Sequence, residues 1–305
     1  MIKKILLCAT LILLGISAAS AQKRAKTASA AKPQPIIFAV LNDGKTLEPI
    51  GEIDKDKLVP TIGGDADTKA LMNFGNAYYR PKTTYNLIFG GAKSGAVTVK
   101  SFNPKSDCGK NLADVSTVSS KSQIKGLVMA LATNKTPSQT ASGLRRMPTA
   151  AERTEIETLV RAEFAKQKVS ADALKNLHYH NLTALDVDND GKAEMVGSFW
   201  AESAPNERDL LFFIAEKDKS GKYNFGYSEY RKVKSEQLMS GAEIKSLDEG
   251  VDNELLLDVL AYGGDPAAKI FTVVQGFEGN NFNVYSKRGG KWTRVFEGSN
   301  YHCAY

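Results

Sequence analysis

Three aspartates on alternate residues, Asp186, Asp188 and Asp190, are followed by Gly191 and Glu194, which puts four carboxylates within nine residues. Carboxylates that close repel one another unless a cation or a set of donors lies among them. Hard oxygen ligands in that number suit Ca²⁺, which takes six to eight oxygens from carboxylates, carbonyls and water. In such a loop Asp186, Asp188 and Asp190 would turn their carboxylates inward. Gly191 would permit the sharp bend, Lys192 would offer its carbonyl, and Glu194 would add its side chain directly or through water. The metal-free alternative is an acidic hairpin turn held by Asx hydrogen bonds.

An EF-hand would need an acidic residue at its twelfth position and a helix on each side. The twelfth position here is Gly197, and Met195–Trp200 reads as a strand. The stretch Leu185–Gly197, "LDVDNDGKAEMVG", instead resembles the calcium loop of FG-GAP or VCBS-type repeats, the integrin-like propeller blades of secreted bacterial proteins. That resemblance implies Ca²⁺ held by Asp186, Asp188, Asp190 and Glu194 with the Lys192 carbonyl. A worn second copy, "LDEGVDNELLLDV", runs from Leu247 to Val259, 62 residues on. It is two residues shorter and has one fewer aspartate, so it is expected to bind no ion. A propeller needs several blades. At most two are present, without the Phe-Gly…Gly-Ala-Pro signature, so a sandwich or a partial propeller is expected.

His178 and His180 stand two apart in a strand-like segment and so face one side, a spacing that can serve zinc. His302 is the one other histidine in the chain, and no carboxylate is fixed nearby by sequence. The pair therefore reads as half-exposed sheet residues. A periplasmic hydrolase or carbohydrate-binding protein with a cleft near His178 and His180 is the alternative function. No nucleophile elbow, P-loop, dinucleotide fingerprint or His-Glu-x-x-His stretch occurs.

The address comes from the start of the chain. Met1-Ile2-Lys3-Lys4 is a basic head, Ile5–Ile16 an apolar run, and Ala19-Ser20-Ala21 a small-x-small site. This is the pattern of a Sec-type signal peptide over residues 1–21, cut after Ala21, and it points to the periplasm or the exterior. Cleavage removes Cys8, Lys3 and Lys4 and lowers the formal net charge from +6 to +4. Such a mild, scattered excess does not mark a nucleic-acid binder. No later segment is apolar for long enough to span a bilayer. An envelope protein or polysaccharide is the expected class of partner. Cys108 and Cys303 remain, and in an oxidising compartment they are expected to pair.

The elements that must position these residues follow from periodicity. Residues 22–35 are Ala, Lys, Ser and Pro and read as a disordered leader. Residues 36–133 read as a small β-rich α+β domain: hairpins around Asn42-Asp43-Gly44 and Gly90-Gly91, a helix over 65–79, and a strand at 127–131. Residues 134–148 read as a linker. Residues 149–305 begin with a helix opened by the capping box Thr149-Ala150-Ala151-Glu152. Eight strand candidates joined by short turns then make an antiparallel meander or sandwich. The fold class is α+β, mostly antiparallel β.

Overall fold

The computed structural model describes residues 33–121, 123–136, 142–238 and 242–303. The expected signal peptide over residues 1–21 and residues 22–32 of the expected leader lie outside the described residues. The fold is mostly antiparallel β, with sixteen strands and two α-helices among the described residues.

The first half closes on itself. Strands β1 (Ile36–Leu41) and β2 (Thr46–Asp54) form a hairpin whose turn residues Asn42, Asp43 and Gly44 all have positive φ. That conformation is tolerated by Asn and Asp and free for Gly. β3 (Lys57–Pro60) extends β2 outward. β4 (Thr84–Phe89) and β5 (Ala92–Phe102) make the second hairpin, and β6 (Ala113–Ser119) and β7 (Ala130–Thr133) complete the set. The order β1-β7-β4-β5-β6-β2, with β2 paired back to β1, is a six-stranded barrel. Its interior holds Phe38, Val40, Leu47, Tyr85, Leu87, Val97 and Val115. Helix α1 (Thr68–Tyr78) is capped by the Asp67 carboxylate, which accepts the Ala70 N–H at 2.8 Å. Its Phe74 and Tyr78 pack into the same cluster.

The second half is layered. β8 (Arg145–Arg146) falls within the segment read as a linker and pairs with β9 (His178–Leu185). β9, β10 (Glu194–Ala204), β11 (Glu207–Lys217) and β12 (Tyr223–Lys234) follow in meander order, giving a five-stranded sheet. A second meander of four strands comprises β13 (Glu254–Leu260), β14 (Lys269–Gln275), β15 (Gly279–Arg288) and β16 (Lys291–Tyr301). Helix α2 (Ala150–Lys166) opens with both bonds of the expected capping box. Its Ile156, Val160 and Phe164 pack on the outer face of the five-stranded sheet, against Leu182, Met195, Phe199 and Phe213.

Strand alternation explains how the layers stack. Leu255, Leu257, Phe271, Val273 and Phe282 of the four-stranded sheet face Ile37, Ala39 and Leu131 of the barrel. Leu256, Val259, Ile270, Tyr285 and Trp292 face the other way, onto Val196, Phe212 and Ile214 of the five-stranded sheet. β13 and most of β14 are thus buried on both faces, β16 keeps one face in solvent, and residues from both halves of the sequence build these cores. β1 shows the same double burial, each of its six residues being at most 3 % exposed. At such sites truncation to alanine of a residue like Phe271 costs about 3–5 kcal/mol. One disulfide, Cys108–Cys303, ties the β5–β6 connection of the barrel to the end of β16, with Cα atoms 5.0 Å apart.

Candidate metal centre

The acidic loop joins β9 to β10, which are paired from Leu185 and Glu194 outward. Val187 is its anchor. The side chain is 2 % exposed and lies in the core between the two sheets. Its carbonyl accepts the Ala268 N–H at 2.7 Å, and its own N–H donates to Glu194 Oε2 at 2.9 Å. With Val187 turned inward, its neighbours Asp186 and Asp188 turn the other way, toward Glu194. Ligand oxygens of these three carboxylates lie within 4.8 Å of one another. Asn189 (φ 59°) and Gly191 (φ 80°) supply the left-handed bend. A Cβ at Gly191 would meet nothing, so glycine is favoured there by backbone conformation alone.

Asp190, also expected as a ligand, sits apart from these three. Asp190 is exposed, and its Oδ1 accepts the Lys192 N–H at 2.7 Å, which is an Asx turn. Its other oxygen is 3.8 Å from Lys192 Nζ. The structure therefore brings together Asp186, Asp188 and Glu194, while Asp190 turns its carboxylate onto the Lys192 backbone N–H.

Burial dominates the electrostatics. Glu194 is 3 % exposed. Desolvation pushes its carboxyl up to about 8, the Val187 N–H offsets part of this, Asp188 and Asp190 add to it, and Lys287 opposes it. Asp186 is 6 % exposed, and its Oδ1 is buried without a hydrogen-bond partner, as is Asp188 Oδ1. Unpartnered buried carboxylate oxygens are costly. Three hard carboxylates with oxygens to spare fit Ca²⁺ by charge and donor type. Lys287 at the end of β15 stands beside them. Its Nζ bonds Glu216 at 2.6 Å and lies 3.7 Å from Asp188 Oδ2. Glu216 in turn accepts the Trp292 indole N–H at 3.1 Å. Lys287, Glu216 and Trp292 come from strands distant in sequence, and no local pattern marks them.

The second acidic turn is built differently. Arg208 forks onto Asp248 at 2.6 and 2.9 Å, and Arg231 lies 3.4 Å from Asp252. Glu254, which opens β13 as Glu194 opens β10, is raised by burial. It accepts bonds from Thr272, Asn283 and Tyr285.

His178 and His180 share one side of β9, both stacked on Trp200, and His302 stands apart from them. His178 stacks on Trp200 with centroids 4.2 Å apart and lines a cleft of about 460 Å³ with Asp172, Asn176 and Glu202. His180 lies behind it, its pKa lowered by burial, with a bond to the Leu247 backbone and Nε2 buried without a partner. His302 is elsewhere, 2.8 Å from the fully buried Glu48. Among the described residues, Asp186, Asp188 and Glu194 form the one group of three or more metal-type ligands.

No family model matches the chain, and no curated protein or solved structure matches it either.

Proposed function

We propose that this chain is an exported, non-catalytic module of the bacterial envelope, structural or interaction-related, clamped by one Ca²⁺ at Asp186, Asp188 and Glu194. The observation that carries this reading is the convergence of three carboxylates within 4.8 Å, with Asp186 and Glu194 almost fully buried and one oxygen each of Asp186 and Asp188 buried without a partner. A divalent cation supplies the positive charge that such a cluster lacks. The chain's own contribution is to hold the oxygens in place. Val187 fixes the loop against the four-stranded sheet, and Glu194 starts β10, so the clamp couples the turn to both sheets.

The loop is read as an FG-GAP/VCBS-type calcium turn set in open meanders, a partial propeller-like use of that unit. Export agrees with the Cys108–Cys303 disulfide, because such bonds persist in oxidising compartments. An envelope protein or polysaccharide is the proposed partner class. Calorimetric titration of the mature protein with Ca²⁺ and Mg²⁺ tests the reading. Ca²⁺ is expected to bind with one-to-one stoichiometry and Mg²⁺ far more weakly, since Mg²⁺ demands a smaller octahedral cage. Absence of a Ca²⁺ isotherm would remove it.

A second reading, a hydrolase or carbohydrate binder working from the His178 side, is favoured by the cleft where His178 stacks on Trp200 beside Glu202. Saturation-transfer NMR with envelope glycans would show contacts that His178→Ala removes if this reading holds.

A further inference from the structure

We propose that Lys287 is a tethered cation that competes with the metal ion for the Asp186–Asp188–Glu194 cluster and so sets how much Ca²⁺ is needed to fill it. The proposal rests on the calcium reading and concerns how that site is regulated. Three observations carry it.

The first is position. Lys287 reaches the cluster from the end of β15, while the carboxylates belong to the β9–β10 turn. Its side chain is 22 % exposed, and its Nζ lies 3.7 Å from Asp188 Oδ2. That is too far for a strong hydrogen bond but well within the range of a strong charge interaction.

The second is incompleteness. The lysine offsets charge at Asp188 Oδ2, yet Asp186 Oδ1 and Asp188 Oδ1 both stay buried and without a partner. An ammonium donates only along its three N–H bonds, whereas a bare divalent ion is reached by oxygens from all sides. Lys287 therefore holds the turn together without satisfying it, which leaves a more complete occupant room to compete.

The third is a place to retreat. Lys287 already bonds Glu216 at 2.6 Å, and Glu216 is itself held by the Trp292 indole N–H at 3.1 Å. Trp292 is 3 % exposed, so that acceptor is fixed. A divalent charge among the three carboxylates repels the ammonium toward Glu216, and the chain need not unfold any strand to allow it. The cost of driving Lys287 off Asp188 is subtracted from the affinity for the ion. A site with three converging carboxylates thereby fills at higher calcium than the same carboxylates would need without the lysine.

The test is calorimetric titration of the full mature chain, stripped with EDTA, with calcium chloride alone. The variants are Lys287→Gln, which removes the charge, and Lys287→Arg, which keeps it. Lys287→Gln is expected to bind Ca²⁺ at least about tenfold more tightly than the wild type. Lys287→Arg is expected to stay within about threefold of it. If Lys287→Gln melts below the assay temperature, Lys287→Met keeps the apolar stem and takes its place. Wild-type or weaker affinity in the uncharged variant overturns the role given to Lys287 and leaves the calcium site standing. No isotherm in wild type or in either variant overturns both.

Discussion

The turn before β10 and the turn before β13 start from similar acidic sequences and reach opposite electrostatic states. At Asp248 and Asp252 the countercharges are built in: Arg208 forks onto one and Arg231 approaches the other. The glutamate that follows, Glu254, is wrapped by three neutral donors. At the first turn Lys287 lies 3.7 Å from Asp188, the one ion pair of Asp186 or Asp188 among the described residues, and oxygens of both aspartates remain buried without partners. The equivalent Glu194 accepts one backbone N–H. An acidic turn can thus be completed from within by arginine or left for a mobile cation. The choice is made by residues on neighbouring strands, since Arg208, Arg231 and Lys287 all lie outside the turns they serve.

The largest effect should come from breaking the self-sufficient turn. The Arg208 side chain is 3 % exposed, while Asp248 is 29 % exposed. Loss of one partner of a buried pair strands the other, and partial exposure of Asp248 keeps the cost near the lower end of the usual range. Arg208→Ala should destabilise the protein by about 3 kcal/mol in urea denaturation. Added Ca²⁺ should recover none of it.

The other turn should respond the opposite way. A ligand that binds only the folded form adds RT ln(1 + [L]/Kd), so millimolar Ca²⁺ at a site of tens of micromolar affinity adds about 2–3 kcal/mol. Melting curves in EDTA, Ca²⁺ and Mg²⁺ measure this increment. Asp188→Ala should abolish it, and Asp248→Ala should leave it intact. An increment that survives Asp188→Ala would place any bound calcium elsewhere.

Sequence pattern made much of this legible. All eight strands expected after α2 form, because each is a short run, either alternating or continuously apolar, bounded by turn residues. The capping box at Thr149 and the Cys108–Cys303 pair were also readable locally or by count. The expected strand at 127–131 begins instead at Ala130, because Lys125–Val128 closes a tight bridged turn. The barrel was not legible. Its closure depends on β1 pairing with both β2 and β7, and on β6, whose Ser and Thr residues hide its alternation. At the acidic loop, spacing identified Asp186, Asp188 and Glu194 but could not separate a converging aspartate from a turn-forming one. Asp190 bonds the backbone two residues on, a local option open to any aspartate before a glycine. Lys287 and Glu216 carry no local signal because tertiary packing alone brings them to the loop.

A smaller effect should appear on the pH axis. The Glu194 carboxyl is raised from its ordinary value to about 8, first by burial. The folded state therefore holds a proton that the unfolded state has released over that interval. The stabilisation from this proton is complete below the ordinary carboxylate range and is lost as pH rises through about 8. In EDTA the wild type should lose about 1–2 kcal/mol from this group between mildly acidic and mildly alkaline pH, less than an isolated group would give because its neighbours titrate with it. Glu194→Gln should be flatter over the same range, and saturating Ca²⁺ should flatten the wild type. Glu254 is also raised by burial, but its partners are neutral donors, so its share should persist in Ca²⁺. A wild-type slope that calcium leaves unchanged would mean that Glu194 does not face the ion.

The smallest expected effect separates shape from ligation within the loop itself. Asp190 is exposed, caps Lys192 N–H at 2.7 Å and stays outside the converging trio. Its pairing with Lys192 Nζ at 3.8 Å is a surface contact that solvent screens. Asp190→Ala should therefore cost about 0.5 kcal/mol or less in EDTA. If Asp190 acts only through the bend, Asp190→Asn, which keeps the oxygen that accepts the Lys192 N–H, should bind Ca²⁺ with nearly wild-type affinity. If the ion draws the Asp190 carboxylate inward from its Asx turn, Asp190→Asn and Asp190→Ala should both weaken Ca²⁺ binding by tenfold or more, about 1.4 kcal/mol. Calorimetry of the two variants side by side distinguishes a three-carboxylate clamp with a shaping aspartate from the four-carboxylate ligand set that the resemblance implies.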